Sequence, residues 1–249
     1  MPINGCLTMK LISFQITGRY GHFLRAEGGA SAPTYPIPPR TVILGIIGAV
    51  LGMDKDQPQI LLEPAHIALS GRLPQTHWHK VKLRKDPPAP LPKIIKRSQK
   101  AEKTTKPEKA TLIGQEWLFN PCYTVWVSVP DPYFADLEQR LIEKRWYFQP
   151  SLGLSEMMAE LVYLGTDEVT FLAEGSYYVN SVFPHENGTL DMDRIFEDKL
   201  VIHSLRMPRT VTPDRVFSHT NYFMERDVRA VPVSTSHAIK VNNNVLMFL

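Results

Sequence analysis

The stretch YPIPPRTVILGIIGAVLG, residues Tyr35 to Gly52, constrains this chain more than any other. Pro36, Pro38 and Pro39 fix φ and drive the residues before them towards extended backbone, so a helix can begin only at about Arg40. From Val42 to Leu51 the residues are apolar, interrupted by Gly45, Gly48 and Ala49. Each glycine inside a helix costs roughly 1 kcal/mol against alanine, so two of them predict a backbone that a neighbour approaches closely. Packing of the helix on a sheet is the favoured reading for Gly45 and Gly48. Gly52 supplies the C-terminal stop. The stretch is too short and too glycine-broken for a membrane span.

Around this helix the pattern predicts strands at Lys10 to Ile16, Ala65 to Leu73, Cys122 to Val129 and within AELVYLG, all rich in branched and aromatic residues. A second, amphipathic helix is expected from Tyr133 to Lys144, with Phe134, Leu137, Leu141 and Ile142 on one face. Strand, helix, strand, strand, helix, strand is the split βαβ order of ferredoxin-like, α+β domains, which bury one sheet face under two helices and leave the other free. From about Val169 short strand-like pieces and turns predominate, so residues 169–249 read as a small β-rich region after a main domain at 9–168. Met9 offers a second start, and the first eight residues are left out of the fold reading.

Charge is segregated. Between Lys80 and Lys109 eleven basic residues face three acidic ones, a local net of +8 in a chain of net +3. Such an arm is either a polyanion contact or a solvated loop, and both stay open. Pro87, Pro88, Pro90 and Pro92 make it poor core material. Two cysteines, Cys6 and Cys122, are too few for a disulfide framework or a thiolate zinc site. Met1 to Thr8 lacks the pattern of a secretory signal, which makes a cytoplasmic protein the expectation. His77 and His79 have no third ligand in view, so they are read as arm residues and no metal or cofactor is expected.

Phe23 and Arg25, then Tyr35-Pro36, Pro38-Pro39, Thr41, Gly45 and Ile46, resemble the N-terminal signature of the CRISPR-associated protein 5 family. There a Phe-Arg pair, a spacer and a Tyr-Pro-x-Pro-Pro-Ser/Thr element lead into a helix containing Gly-Leu/Ile-Leu/Ile. PSLGLSE, Pro150 to Glu156, is similar to the family's glycine-bearing loop after the second helix. The lysine-rich insertion, about residues 76–113, resembles its basic β-hairpin thumb. The resemblance covers roughly residues 10–165. It implies a ferredoxin-like RAMP domain and a subunit of a type I CRISPR surveillance complex (Cascade), most similar to type I-B members. Such a subunit binds and caps the 5′ handle of crRNA and contacts the backbone and large subunits. It meets target DNA only indirectly, in antiviral defence, and no membrane is involved.

The residues expected at the handle are Arg19, Tyr20, His22, Phe23, Arg25, Tyr35, Arg40, Thr41, Gly153 and Leu154, with Lys80, Lys82, Lys93, Lys96 and Arg97 as thumb contacts. The chemistry agrees. A helix N-terminus is an anion site, to which Arg40 and Thr41 add a guanidinium and a hydroxyl. Gly153 would admit a phosphate or sugar to the backbone. Tyr20, Phe23, Tyr35 and Trp78 offer stacking faces worth about 1–3 kcal/mol per base. Against this, Phe23 and Tyr35 are individually better read as core. Arg25 and Arg40 favour a phosphate, because a buried unpaired charge is costly.

Some family members cleave precursor crRNA without metal, with a Tyr ending the first helix and a Lys-His pair opening the second. Here Leu51 and Pro132-Tyr133 occupy those places. Leucine and proline can neither accept the 2′-hydroxyl proton nor protonate a leaving oxygen. A binding subunit without nuclease activity is therefore expected. The rival readings are a processing endoribonuclease built from His22, Tyr20 and a thumb lysine, and an unrelated ferredoxin-like RNA-binding module.

Overall fold

The computed structural model describes residues 9–25, 31–84 and 110–249. Strand β1 (Lys10–Thr17) places Ile12, Phe14 and Ile16 on one face and Leu11 and Ser13 on the other, as period-2 alternation dictates. Helix α1 (Arg40–Leu51) starts directly after Pro39 and ends at Gly52, which takes φ 79° and returns its N–H to the Gly48 carbonyl. After α2 (Gln57–Leu61) come β2 (His66–Gly71), β3 (Gln75–Arg84), β4 (Ala110–Phe119) and β5 (Cys122–Ser128), then α3 (Tyr133–Glu143) and β6 (Glu160–Glu168). Strands β6, β1, β5 and β2 lie side by side in that order, every pair antiparallel. Phe14 sits opposite Val125 in β5 and Tyr163 in β6.

Helices α1 and α3 cover the Ile12, Phe14 and Ile16 face with Ile43, Ile47, Val50, Leu137 and Leu141. Ile142, expected on the buried stripe, is exposed, because Leu137 and Leu141 one turn apart already fill it. The second face is not free. Leu11, Ala68 and Trp126 are sealed by Ile239, Val241 and Leu246 from the end of the chain. An antiparallel sheet carrying Leu11 and Trp126 outward has apolar surface to bury on both sides.

The last third adds β7 (Gly175–Val179), α4 (Met192–Glu197), β8 (Ile202–Val211), β9 (Phe217–Glu225), β10 (Val231–Thr235), β11 (Ile239–Val241) and β12 (Asn244–Leu246). Strands β8 and β9 form an antiparallel hairpin that lies against α1, with Met207, Tyr222 and Met224 in the same core cluster as Ile43 and Ile47. Two amides close the free edge of β2: Val182 N–H donates to the Leu69 carbonyl at 2.7 Å and Leu249 N–H to that of Ile67 at 2.8 Å. Strands β3 and β4 pair over their full length, from Gln75 opposite Phe119 to Arg84 opposite Ala110, and make the base of an arm. Among the described residues no helix is long and apolar enough to cross a membrane.

The two helix glycines differ. A Cβ on Gly48 would meet Pro58 of α2 at 2.2 Å, so the close neighbour is a helix, not the sheet. A Cβ on Gly45 would meet nothing within 4 Å. Gly45→Ala is therefore expected to stabilise the protein by about 1 kcal/mol through helix propensity, raising the melting midpoint by about 2–4 °C. Gly48→Ala is expected to lower stability by about 1–3 kcal/mol through overpacking. Thermal unfolding of both variants checks the sign of each.

Candidate nucleic-acid interface

The chain between β1 and α1 is stitched to the arm. Tyr20-Gly21 pairs with Leu118-Phe119, Ser31-Ala32 runs parallel to Gly114-Gln115, and Phe23-Leu24 pairs with Thr34-Tyr35. His22 is 2% exposed; its Nδ1–H donates to the Glu116 carbonyl at 2.7 Å, and its amide donates to Leu152 at 2.9 Å. Because a carbonyl only accepts, the proton is on Nδ1. Thr34 braces the same corner, taking a hydrogen bond from the Phe23 amide at 2.8 Å and donating its own N–H to the Glu116 carboxylate at 3.0 Å.

These contacts hold open a cleft of about 640 Å³ in front of the first turn of α1. Six residues expected at the handle line it: His22, Phe23, Tyr35, Thr41, Gly153 and Leu154. Its opposite walls come from Val81, Ile113 and Gln115 at the base of the arm and from Pro208 and Phe217 of the β8–β9 hairpin. Sequence reasoning missed these five. The alternation of β3 and β4 carries a signal for Val81 and Ile113, whereas nothing local marks Phe217. The N-terminus of α1 has no side-chain cap and no acidic residue in its first turn, so its partial positive charge is not opposed within the helix.

The remaining expected residues fall elsewhere. Arg25 is exposed, its guanidinium 5.4 Å from the centre of the Tyr35 ring. Arg40 does not reach outward as a phosphate ligand: it is 4% exposed, and its Nη2 donates to the carbonyls of Glu63 and, at 3.1 Å, Ala65. Burial, then the charge of Arg209, pulls the Arg40 guanidinium below its ordinary value, while Glu63 and Tyr222 oppose. It stays a cation that clasps its own chain. Arg19 and Tyr20 lie beyond the cleft, with the Arg19 guanidinium 5.5 Å from the Tyr20 ring. Phe23 and Tyr35 are buried and meet the cleft only as part of its wall. Gly153 has φ 98°, and a Cβ there would lie 1.8 Å from the His22 carbonyl oxygen, so the glycine is demanded by the chain itself.

Lys80 and Lys82 are exposed on β3, on the face that also carries Trp78 and away from Val81 and the cleft. Lys93, Lys96 and Arg97 lie outside the described residues.

A family described as CRISPR-associated protein (Cas_Cas5) matches residues 11–229. The fold is similar to that of a chain of a CRISPR RNA-guided surveillance complex, with TM-score 0.53 at 14% identity over 89% of this chain and 91% of that one. It is also similar to a CRISPR protein from Archaeoglobus fulgidus, with TM-score 0.55 at 13% identity over 96% and 99%. No curated protein matches the chain.

Proposed function

The chain belongs to the CRISPR-associated Cas5 family, and from that premise we propose that it binds and caps the 5′ handle of crRNA in a type I surveillance complex, without cutting it. The observation that supports this reading most is the convergence of His22, Phe23, Tyr35, Thr41, Gly153 and Leu154 on one cleft at an uncapped helix N-terminus. RNA recognition needs donors for phosphate and apolar walls for unstacked bases. The cleft offers both, with Arg25 beside it. In this reading the four-stranded sheet with α1 and α3 is a ferredoxin-like RAMP core and the β3–β4 arm is its thumb. The backbone and large subunits are its protein partners, and target DNA is met only through the assembled complex.

Absence of cleavage rests on chemistry. Leu51 has no titratable group, Pro132 has no side-chain donor, and Tyr133 is packed against the core. His22, the base of the rival ribonuclease reading, does reach the cleft wall, but Tyr20, its partner in that reading, lies outside the cleft, and no lysine among the described residues lines it.

Anisotropy of a labelled repeat-derived handle RNA tests the proposal. Affinity is expected to fall with salt at a slope near −0.7 per phosphate contacted. Ile113→Glu, which places a carboxylate in the cleft wall, is expected to weaken binding tenfold or more with little change in the melting midpoint. Binding that ignores both salt and this substitution would reject the cleft. Site-specific cutting of precursor RNA in chelator would reject the non-catalytic role.

A further inference from the structure

We infer that the same single-stranded RNA continues out of the cleft along one face of β4, over Trp117, Tyr20 and Phe119, to a basic hollow formed by Arg72 and Arg226. This rests on the handle-binding reading and extends it to residues that have no part in the cleft.

Alternation puts Ile113, Gln115, Trp117 and Phe119 on one face of β4, opposite Val81, His79, His77 and Gln75 of β3. Ile113 and Gln115 already line the cleft. The next residue along is tied to them, because Trp117 Nε1–H donates to Gln115 Oε1 at 2.9 Å. The His79 ring lies 4.5 Å from Trp117, and Tyr20 lies 5.4 Å from Trp117 and 5.9 Å from Phe119. The path ends at Phe119, which is 43% exposed in a hollow of about 710 Å³ shared with Arg72, Gln75, Asn120 and Arg226. From residue 113 to 119 the strand advances roughly 20 Å, room for a few nucleotides.

Charge follows the rings. Asp227 bridges the two arginines, 3.3 Å from Arg72 and 3.0 Å from Arg226. Its carboxyl is held below its ordinary value, chiefly by the Arg226 hydrogen bond. One carboxylate between two guanidiniums leaves a surplus positive charge, and Arg19 over Tyr20 adds another. Aromatic faces interleaved with arginines are what sequence-tolerant single-strand binding requires. The location of Arg19 and Tyr20 outside the cleft then has a function: they belong to the track.

The test uses the full chain and the handle RNA, shortened one nucleotide at a time from each end. Phe119→Ala is expected to weaken binding of the longest RNA about tenfold, the loss of one stacked base. The pair Arg72→Gln and Arg226→Gln is expected to flatten the salt slope by about 0.7, equivalent to the one phosphate that the surplus charge holds. Both differences from wild type should vanish once the RNA is too short to leave the cleft. Melting midpoints within a degree of wild type show that the fold is intact, and the arginine pair reports through the slope even if Phe119→Ala lowers stability. Wild-type binding that none of these variants alters at any length overturns the track and leaves the cleft standing. No binding by the wild type at any length removes the handle reading, and the track with it.

Discussion

Alanine at position 153 is expected to lower the stability of this protein by about 3 kcal/mol or more, an effect as large as deletion of a buried leucine. Two costs add. The φ of 98° at Gly153 is one that side-chain-bearing residues rarely adopt, worth about 1–3 kcal/mol. The new Cβ would also stand 1.8 Å from the His22 carbonyl oxygen, which is main chain and cannot swing aside. Relief requires the Leu152–Leu154 turn to retreat, breaking the His22-to-Leu152 hydrogen bond of 2.9 Å and loosening the 2.8 Å bond from Leu152 to Met157. A chain of this size loses about 2–4 °C of melting midpoint per kcal/mol, so a fall of roughly 6–12 °C is expected by calorimetry. RNA affinity should fall with it, since the same turn lines the cleft. A variant that melts within 2 °C of wild type would show that the turn is not seated on His22.

The second large effect separates two arginines that look alike in the sequence. Arg40→Ala is expected to cost about 3 kcal/mol, because it strips the carbonyls of Glu63 and Ala65 of a charged donor in a buried setting. Arg25→Ala removes an exposed group stacked over Tyr35 and should change stability by less than about 0.5 kcal/mol. Binding should respond in the opposite order at a temperature where both variants remain folded. Arg25→Ala is expected to weaken handle RNA severalfold, and Arg40→Ala to leave its affinity near wild type. Urea unfolding together with RNA titration measures both axes. An Arg40→Ala protein of unchanged stability and lost affinity would restore that residue to the binding surface.

Those arginines show what could be read in advance and what could not. The prolyl entrance to α1, its Gly52 stop, and strands β1 and β5 were legible because local backbone chemistry and period-2 alternation act over a few residues. The burial of Arg40 was not, since its acceptors lie 23 and 25 residues away and nothing near Arg40 announces them. Gly45 and Gly48 read alike in the sequence, yet only Gly48 has a close neighbour, Pro58, which sits on a five-residue helix too short to leave a periodic trace. Half of the cleft was visible as a motif around Tyr35 and Gly153. Of the facing walls, Val81 and Ile113 leave a trace in strand alternation, whereas Pro208 and Phe217 come from a hairpin whose alternation predicts strands and says nothing of what they lie against. The covering of the second sheet face depended on Ile239 to Leu246, short strands that become apolar partners only in three dimensions.

The amide of Leu249 and that of Val182 complete the border of a strand made from residues 66–71. During synthesis that border stands open while well over a hundred further residues emerge, which at about 5–20 residues per second is a wait of many seconds. An unpaired strand rim attached to a half-covered apolar sheet is a template for wrong partners. The yield of soluble protein is therefore expected to fall as expression temperature rises, more steeply than the stability of the finished fold alone would dictate.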